Sequence, residues 1–170
     1  MAVVIAGIGG IGGALARRLV AKGTAVHLLA RSAEKLSAFE SELVSSSPVG
    51  KKLVLSTTVD ALDTVALAAA VASAVSEWGG IRGLVYAVGS IPLKPLRMTT
   101  EMDFEQAWRL NFLGAAVALR AAAPALAAAP DGVPGSVVFF SSVAAGLGFP
   151  NHAAIASAKV GGSHAEGPVR

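Results

Sequence analysis

Apolar runs of strand length recur at Val3 to Ala6, Ala25 to Leu29, Leu53 to Leu55, Gly83 to Val88 and Ser136 to Phe140, each followed by a turn signal and a longer stretch with helical spacing. The helices predicted are Ile11 to Ala21, Ala33 to Ser45, Leu62 to Trp78, Glu101 to Ala129 and His152 to Val160, with Thr99 or Thr100 as N-cap of the fourth. In the first helix Ile11, Leu15 and Leu19 recur at i, i+4 and i+8, which predicts a buried stripe opposite a solvated face carrying Arg17, Arg18 and Lys22. Strand and helix alternate, so the fold class is α/β. Continuous apolar strands imply a sheet covered on both faces. With right-handed crossovers the result is a doubly wound, Rossmann-like parallel sheet in a single domain, its ligand crevice at the carboxyl ends of the strands.

The residues just after each strand are therefore the informative ones. After the first strand comes Ala6-Gly7-Ile8-Gly9-Gly10-Ile11-Gly12-Gly13, running straight into a helix. Gly7, Gly9 and Gly12 fit G-x-G-x-x-G, where one glycine makes the tight turn, one lets the backbone approach a pyrophosphate and one lets helix pack on strand. Phosphates in such a turn sit at the helix N-terminus, where unpaired N–H groups and the macrodipole favour negative charge. Gly7, Gly10 and Gly13 fit a G-x-x-G-x-x-G spacing equally well, so two registers of the turn are open. After the second strand stand Arg31 and Ser32, where an acidic residue would bind the ribose 2′-OH of NAD. A guanidinium there pairs with a 2′-phosphate instead, which favours NADP(H) over NAD(H).

Composition narrows the picture. The 170 residues suffice for one domain with a sizeable core, and 54% hydrophobic with 5% aromatic content means a core of Ala, Val and Leu. The most apolar stretch, Phe112 to Ala129, is interrupted by Arg120 and Pro124, so no membrane-spanning segment is expected. Arg17 and Arg18 follow the first apolar run, the reverse of a signal peptide, and a cytoplasmic protein is expected. Without cysteine there is no disulfide framework or thiolate metal site, and no metal is expected. The net charge of +3 comes from scattered Lys and Arg without aromatic interleaving, which does not indicate a nucleic-acid surface.

With these positions in hand, residues 2 to about 160 resemble a short-chain dehydrogenase/reductase. The glycine turn, Gly7, Gly9, Gly10, Ile11 and Gly12 included, is similar to that family's T-G-x-x-x-G-x-G, with Ala6 for the Thr and a loop one residue shorter. Val59-Asp60-Ala61 matches its aspartate after the third strand and implies a contact from Asp60 to the adenine. Tyr86-Ala87-Val88-Gly89 stands where the family has N-N-A-G, so Ala87, Val88 and Gly89 are expected against the cofactor. Asn111 matches the asparagine of the catalytic tetrad, Ser142 its serine and Lys159 its lysine. By the resemblance, Asn111 and Ser142 place a water chain and the substrate carbonyl, and Lys159 holds the nicotinamide ribose. The reaction implied is hydride transfer between nicotinamide and a carbonyl or alcohol substrate, and the helix from 101 to 129 is one through which such proteins pair as homodimers.

Two departures stand out. The signature Y-x-x-x-K reads Ile155-Ala156-Ser157-Ala158-Lys159 here. Isoleucine cannot be a general acid, and losing that function costs about 10² to 10⁴ in rate. His152, three residues earlier, is either a substitute acid or a solvent-facing residue at a helix start. Tyr86 is expected to pack against cofactor or core. The second departure follows Lys159, where Gly161-Gly162 and Gly167-Pro168 signal a helix end and an irregular tail over residues 161–170. The cofactor domain is thus expected over residues 1–160, in a truncated or frame-disrupted member lacking the family's last strand–helix units, with Val137 to Phe140 as an uncovered sheet edge. A cofactor-binding sensor without turnover, an interaction protein and an inactive fragment are the alternatives to an enzyme.

Overall fold

Five parallel strands form one sheet in the computed structural model, which describes residues 1–47, 50–128 and 132–163. They are β1 (Ala2–Ala6), β2 (Val26–Ala30), β3 (Val54–Thr58), β4 (Ile81–Tyr86) and β5 (Ser136–Phe139), in the spatial order β3-β2-β1-β4-β5. The order reverses between β1 and β4, which puts the switch point of this doubly wound sheet, and its crevice, at their carboxyl ends. The helices are α1 (Gly10–Ala21), α2 (Ala33–Ser46), α3 (Thr64–Glu77), α4 (Glu101–Trp108), α5 (Gly114–Ala127) and α6 (Ala153–Ser163).

Both faces of the central strands are buried. Ile5, Val26, Leu28, Val54 and Val85 pack with Ala16 and Val20 of α1 and Leu36, Phe39 and Leu43 of α2. Val4, Ala6, Leu29, Leu84 and Tyr86 pack on the other face with Leu67, Val71 and Ala74 of α3 and Ala118, Ala122 and Leu126 of α5. Small alanines let these helices lie close to the sheet, as the composition requires. A separate small cluster of Ala107, Ala154, Ala158 and Phe104 joins α6 to α4.

Several boundaries depart from the expected ones. The buried stripe of α1 is Gly12, Gly13, Ala16 and Val20, whereas Ile11 is 59% exposed. Close helix-on-strand packing selects the smallest residues, and the larger apolar ones slide to the flank. Strand β3 runs on through Ser56, Thr57 and Thr58 because it is an edge strand with polar partners available. There Thr57 Oγ1 meets His27 Nε2 at 2.8 Å, and Ser56 donates to Glu40. Helix α3 starts at Thr64 since Asp63 caps it, accepting from Ala66 N–H at 3.0 Å. Thr100 caps α4 in a capping box with Asp103, as one of the two expected caps. Helix α6 passes through Gly161 and Gly162 to Ser163, so the irregular tail does not begin at 161. A helical glycine costs only about 1 kcal/mol against alanine, which packing of α6 on α4 offsets. Residues 164–170 of the expected tail, and Ala129 of the fourth helix, lie outside the described residues.

Strand β5 lies at the sheet edge with Ser136 and Val138 exposed, so cover on both faces holds for β1, β2 and β4 but not for β5. The run Glu101–Ala127 is long and apolar enough, by length and composition, to cross a membrane. Its Ala118, Ala122 and Leu126 are spent on the sheet core.

Candidate functional site

Gly7 follows β1 with a φ of +93°, a region that L side chains rarely adopt, and a Cβ there would come within 2.9 Å of the Ala87 and Val88 backbone. A Cβ on Gly12 would overlap Gly7 O. At Gly9 and Gly10 it would meet nothing within 4 Å. The strongest steric demands therefore fall on Gly7 and Gly12, and a lesser one on Gly13, whose Cβ would stand 3.0 Å from Ile8 O. Gly9 is the N-cap of α1 and supplies no side-chain cap, and the first turn holds no acidic residue. The N–H groups at this helix start are left for a ligand, with open space beside Gly9 for an anion to approach.

A cleft of about 380 Å³ opens at this end of the sheet. Its lining includes Gly7 and Gly9 after β1, Arg31, Ser32 and Lys35 after β2, Asp60 and Ala61 after β3, and Ala87, Val88 and Gly89 after β4. Gly10, Ile11 and Gly12 do not line it. Gly10 opens α1, Ile11 points outward, and Gly12 is buried in the turn. Ser32 also caps α2, accepting from Lys35 N–H at 3.3 Å, and Asp60 Oδ1 accepts from Leu62 N–H at 2.9 Å. The sequence reading missed Lys35, along with Leu62, Leu67, Ser90 and Leu110 in the lining. Lys35 did carry a signal, since a cation in the first turn of a helix opposes the dipole and calls for another reason to be there.

Beyond Gly89 the remaining candidates draw together. Asn111 is buried in a five-residue π turn, Arg109–Leu113, between α4 and α5, where Gly114 N–H reaches back to Arg109 O. Such wide turns re-aim a side chain within a helix. Its amide donates to Ala107 O at 2.9 Å, and its Oδ1 accepts from Ser90 N–H at 3.3 Å. Lys159 on α6 donates to Phe140 O at 2.7 Å. A Cβ added at Gly89 would stand 3.0 Å from Asn111 Oδ1 and 3.8 Å from Lys159 Nζ, so both heads converge on this one glycine. Burial lowers the Lys159 ammonium below the ordinary lysine range. Ser142, two residues beyond Phe140, caps the short turn Val143–Ala145 by accepting from Ala144 N–H at 3.2 Å. None of these three is part of the cleft lining, and Asn111 and Lys159 meet beside its Gly89.

Tyr86 is a core residue. Its hydroxyl donates to Leu110 O at 2.8 Å, and burial raises its pKa far above the ordinary value. Ile155 is 1% exposed. His152 sits half-buried just before α6, with its Nδ1–H donated to Pro150 O at 2.7 Å and its ring 5.6 Å from that of Phe149. The loop after β4 is tied to the chain entering α6 by Lys94 N–H on Asn151 O at 3.0 Å. It is tied to α4 by Lys94 Nζ on Asp103 Oδ2 at 2.7 Å. That ammonium, with Thr100, holds the Asp103 carboxyl down at about 2.

This constellation has relatives. A family model for short chain dehydrogenases matches residues 1–165. The chain belongs to the short-chain dehydrogenase family. Members are nicotinamide-dependent oxidoreductases, and the cleft and its helix start are where this fold holds such a nucleotide. Among solved structures, a short-chain type dehydrogenase/reductase from Mycobacterium ulcerans shares 26% identity at a TM-score of 0.86, with 96% of this chain and 59% of that one covered. An NADPH-bound short chain oxidoreductase from Pseudomonas aeruginosa PAO1, described as containing an atypical catalytic center, shares 27% identity at 0.87, with 96% and 62% covered. A Serratia marcescens short-chain dehydrogenase/reductase mutant shares 30% at 0.80, with 94% and 63% covered. The chain thus spans about three fifths of the length of these structures. Among curated proteins no sequence match was found.

Proposed function

We propose that this short-chain dehydrogenase binds NADP(H) and transfers hydride between the nicotinamide and a small carbonyl or alcohol substrate. The observation that carries the cofactor preference is the pair of cations, Arg31 and Lys35, that line the cleft together with Ser32. A 2′-phosphate would meet both charges and the Ser32 hydroxyl there, and no carboxylate stands directly after β2 to receive a 2′-OH. Gly7 and Gly9, with the start of α1, take the pyrophosphate, Asp60 and Ala61 the adenine side, and Ala87, Val88 and Gly89 the opposite edge. Asn111, Ser142 and Lys159 lie further along, where the nicotinamide and substrate belong. When bound, the reduced nicotinamide supplies the hydride, and the chain supplies orientation and the proton.

A second reading, an NADP-binding protein without turnover, is favoured by Ile155, whose apolar side chain fills the place of a proton-transferring tyrosine. Fluorescence titration with NADPH and NADH beside a carbonyl-reduction assay separates the two. Tighter NADPH binding with turnover supports the enzyme, and binding without turnover supports the second reading. Equal affinity for both nucleotides defeats the NADP assignment. On this reading the protein is cytoplasmic, its partner is a small molecule, and a second copy pairs across the helices from 101 to 127, which sedimentation equilibrium checks.

A further inference from the structure

We propose that Lys159 is itself the proton-transfer group of this site, its ammonium acting directly on the substrate oxygen. The inference rests on the carbonyl-reductase reading above. It follows from asking which group near Gly89 can hold a proton. Ile155 has none to give. Tyr86 is 2% exposed and committed to Leu110 O in the core. His152 precedes α6, and its Nδ1–H is taken up by Pro150 O. Ser142 carries a hydroxyl with no base bonded to it among the described residues, and its oxygen accepts from Ala144 N–H. Lys159 remains, half-buried and fixed by a single 2.7 Å bond to Phe140 O, which leaves two of its three N–H donors to point elsewhere.

Its electrostatic surroundings suit the role. Helix α6 packs on α4, on the π turn and on the turn Val143–Ala145. The charged groups those elements bring are occupied or exposed. Asp103 holds Lys94, Glu105 lies 3.9 Å from Arg109, Glu101 is exposed, and Val143–Ala145 carries no charge. No carboxylate is bonded to Lys159 among the described residues, so burial acts on the ammonium unopposed and eases loss of its proton. In the reducing direction Lys159 breaks one N–H bond and the carbonyl oxygen gains that proton. The carbonyl carbon gains a hydride with its electron pair from the reduced nicotinamide nucleotide, which is the co-reactant oxidised. The neutral amine then regains a proton from water past Gly89 and Ser90, both exposed.

Two measurements on the intact chain test this. Acetic anhydride labelling across a pH series, with Lys159 modification read by peptide mass spectrometry, reports its titration without any turnover. The amine is expected to titrate below the ordinary lysine value, and the reduction rate to fall at that same pH. Lys159→Arg keeps a cation and donors for Phe140 O but cannot release a proton near neutral pH. It should lower kcat by about 10²- to 10⁴-fold while NADPH fluorescence still shows binding. Unchanged rate and pH profile in Lys159→Arg, ordinary titration of Lys159, or NADPH binding by the unaltered chain with no reduction of any carbonyl would each overturn the proposal. Absence of NADPH binding would instead overturn the functional reading beneath it, a distinct result.

Discussion

At the scale of single residues, the phosphate turn tolerates little. Replacing Gly12 with alanine drives a methyl group into Gly7 O, and the neighbour that must move is backbone. The expected cost of Gly12→Ala is at the upper end of the about 1–3 kcal/mol of overpacking, seen as a lower urea midpoint together with lost NADPH binding. Arg31→Ala and Lys35→Ala act differently, since both side chains are exposed and neither holds up the fold. Each is expected to weaken NADPH binding about tenfold, or 1.4 kcal/mol, and to leave NADH affinity unchanged in parallel titrations. Arg31 was legible in the sequence because it stands where a strand ends. Lys35 was not, because it reaches the same spot from inside a helix. Asn111 and Lys159 were found through a family pattern, but their meeting at Gly89 depends on a π turn that no periodicity announces.

At the scale of elements, β2 and α3 are joined by a polar contact inside an apolar layer. His27 on β2 is fully buried, bonded to Thr57 Oγ1, and its Nδ1 lies 3.6 Å from Glu77 at the end of α3. Burial lowers its pKa more than Glu77 and Glu40 raise it. A histidine depressed in the folded state binds protons more readily when unfolded, so its contribution is complete above about pH 6.5 and is lost as the pH falls from there. Urea unfolding is therefore expected to show stability declining below about pH 6.5, with a shallower decline in His27→Gln. Element order was legible throughout, because the apolar runs are separated by clear turn residues. The extent of β3 was not, since Ser56, Thr57 and Thr58 read as loop until a neighbour supplies hydrogen-bond partners. The buried face of α1 was misread at Ile11, while Leu15 and Leu19 do pack against the core. Ile11, Leu15 and Leu19 dominate a periodicity count, yet the fully buried line is Gly12, Gly13, Ala16 and Val20, with Leu15 and Leu19 half-buried on its flank.

For the whole molecule, cover is uneven. Among the described residues no strand pairs with the outer edge of β5, and Val138 on it is 41% exposed. Unpaired N–H and C=O groups along such an edge can template another chain. Concentration-dependent association is expected in light scattering, and Val138→Lys should reduce it without altering NADPH affinity. A different consequence follows from the bond between Lys94 N–H and Asn151 O. It links the loop after β4 to the entry of α6, the helix that carries Lys159. While that bond holds, neither segment is displaced without the other.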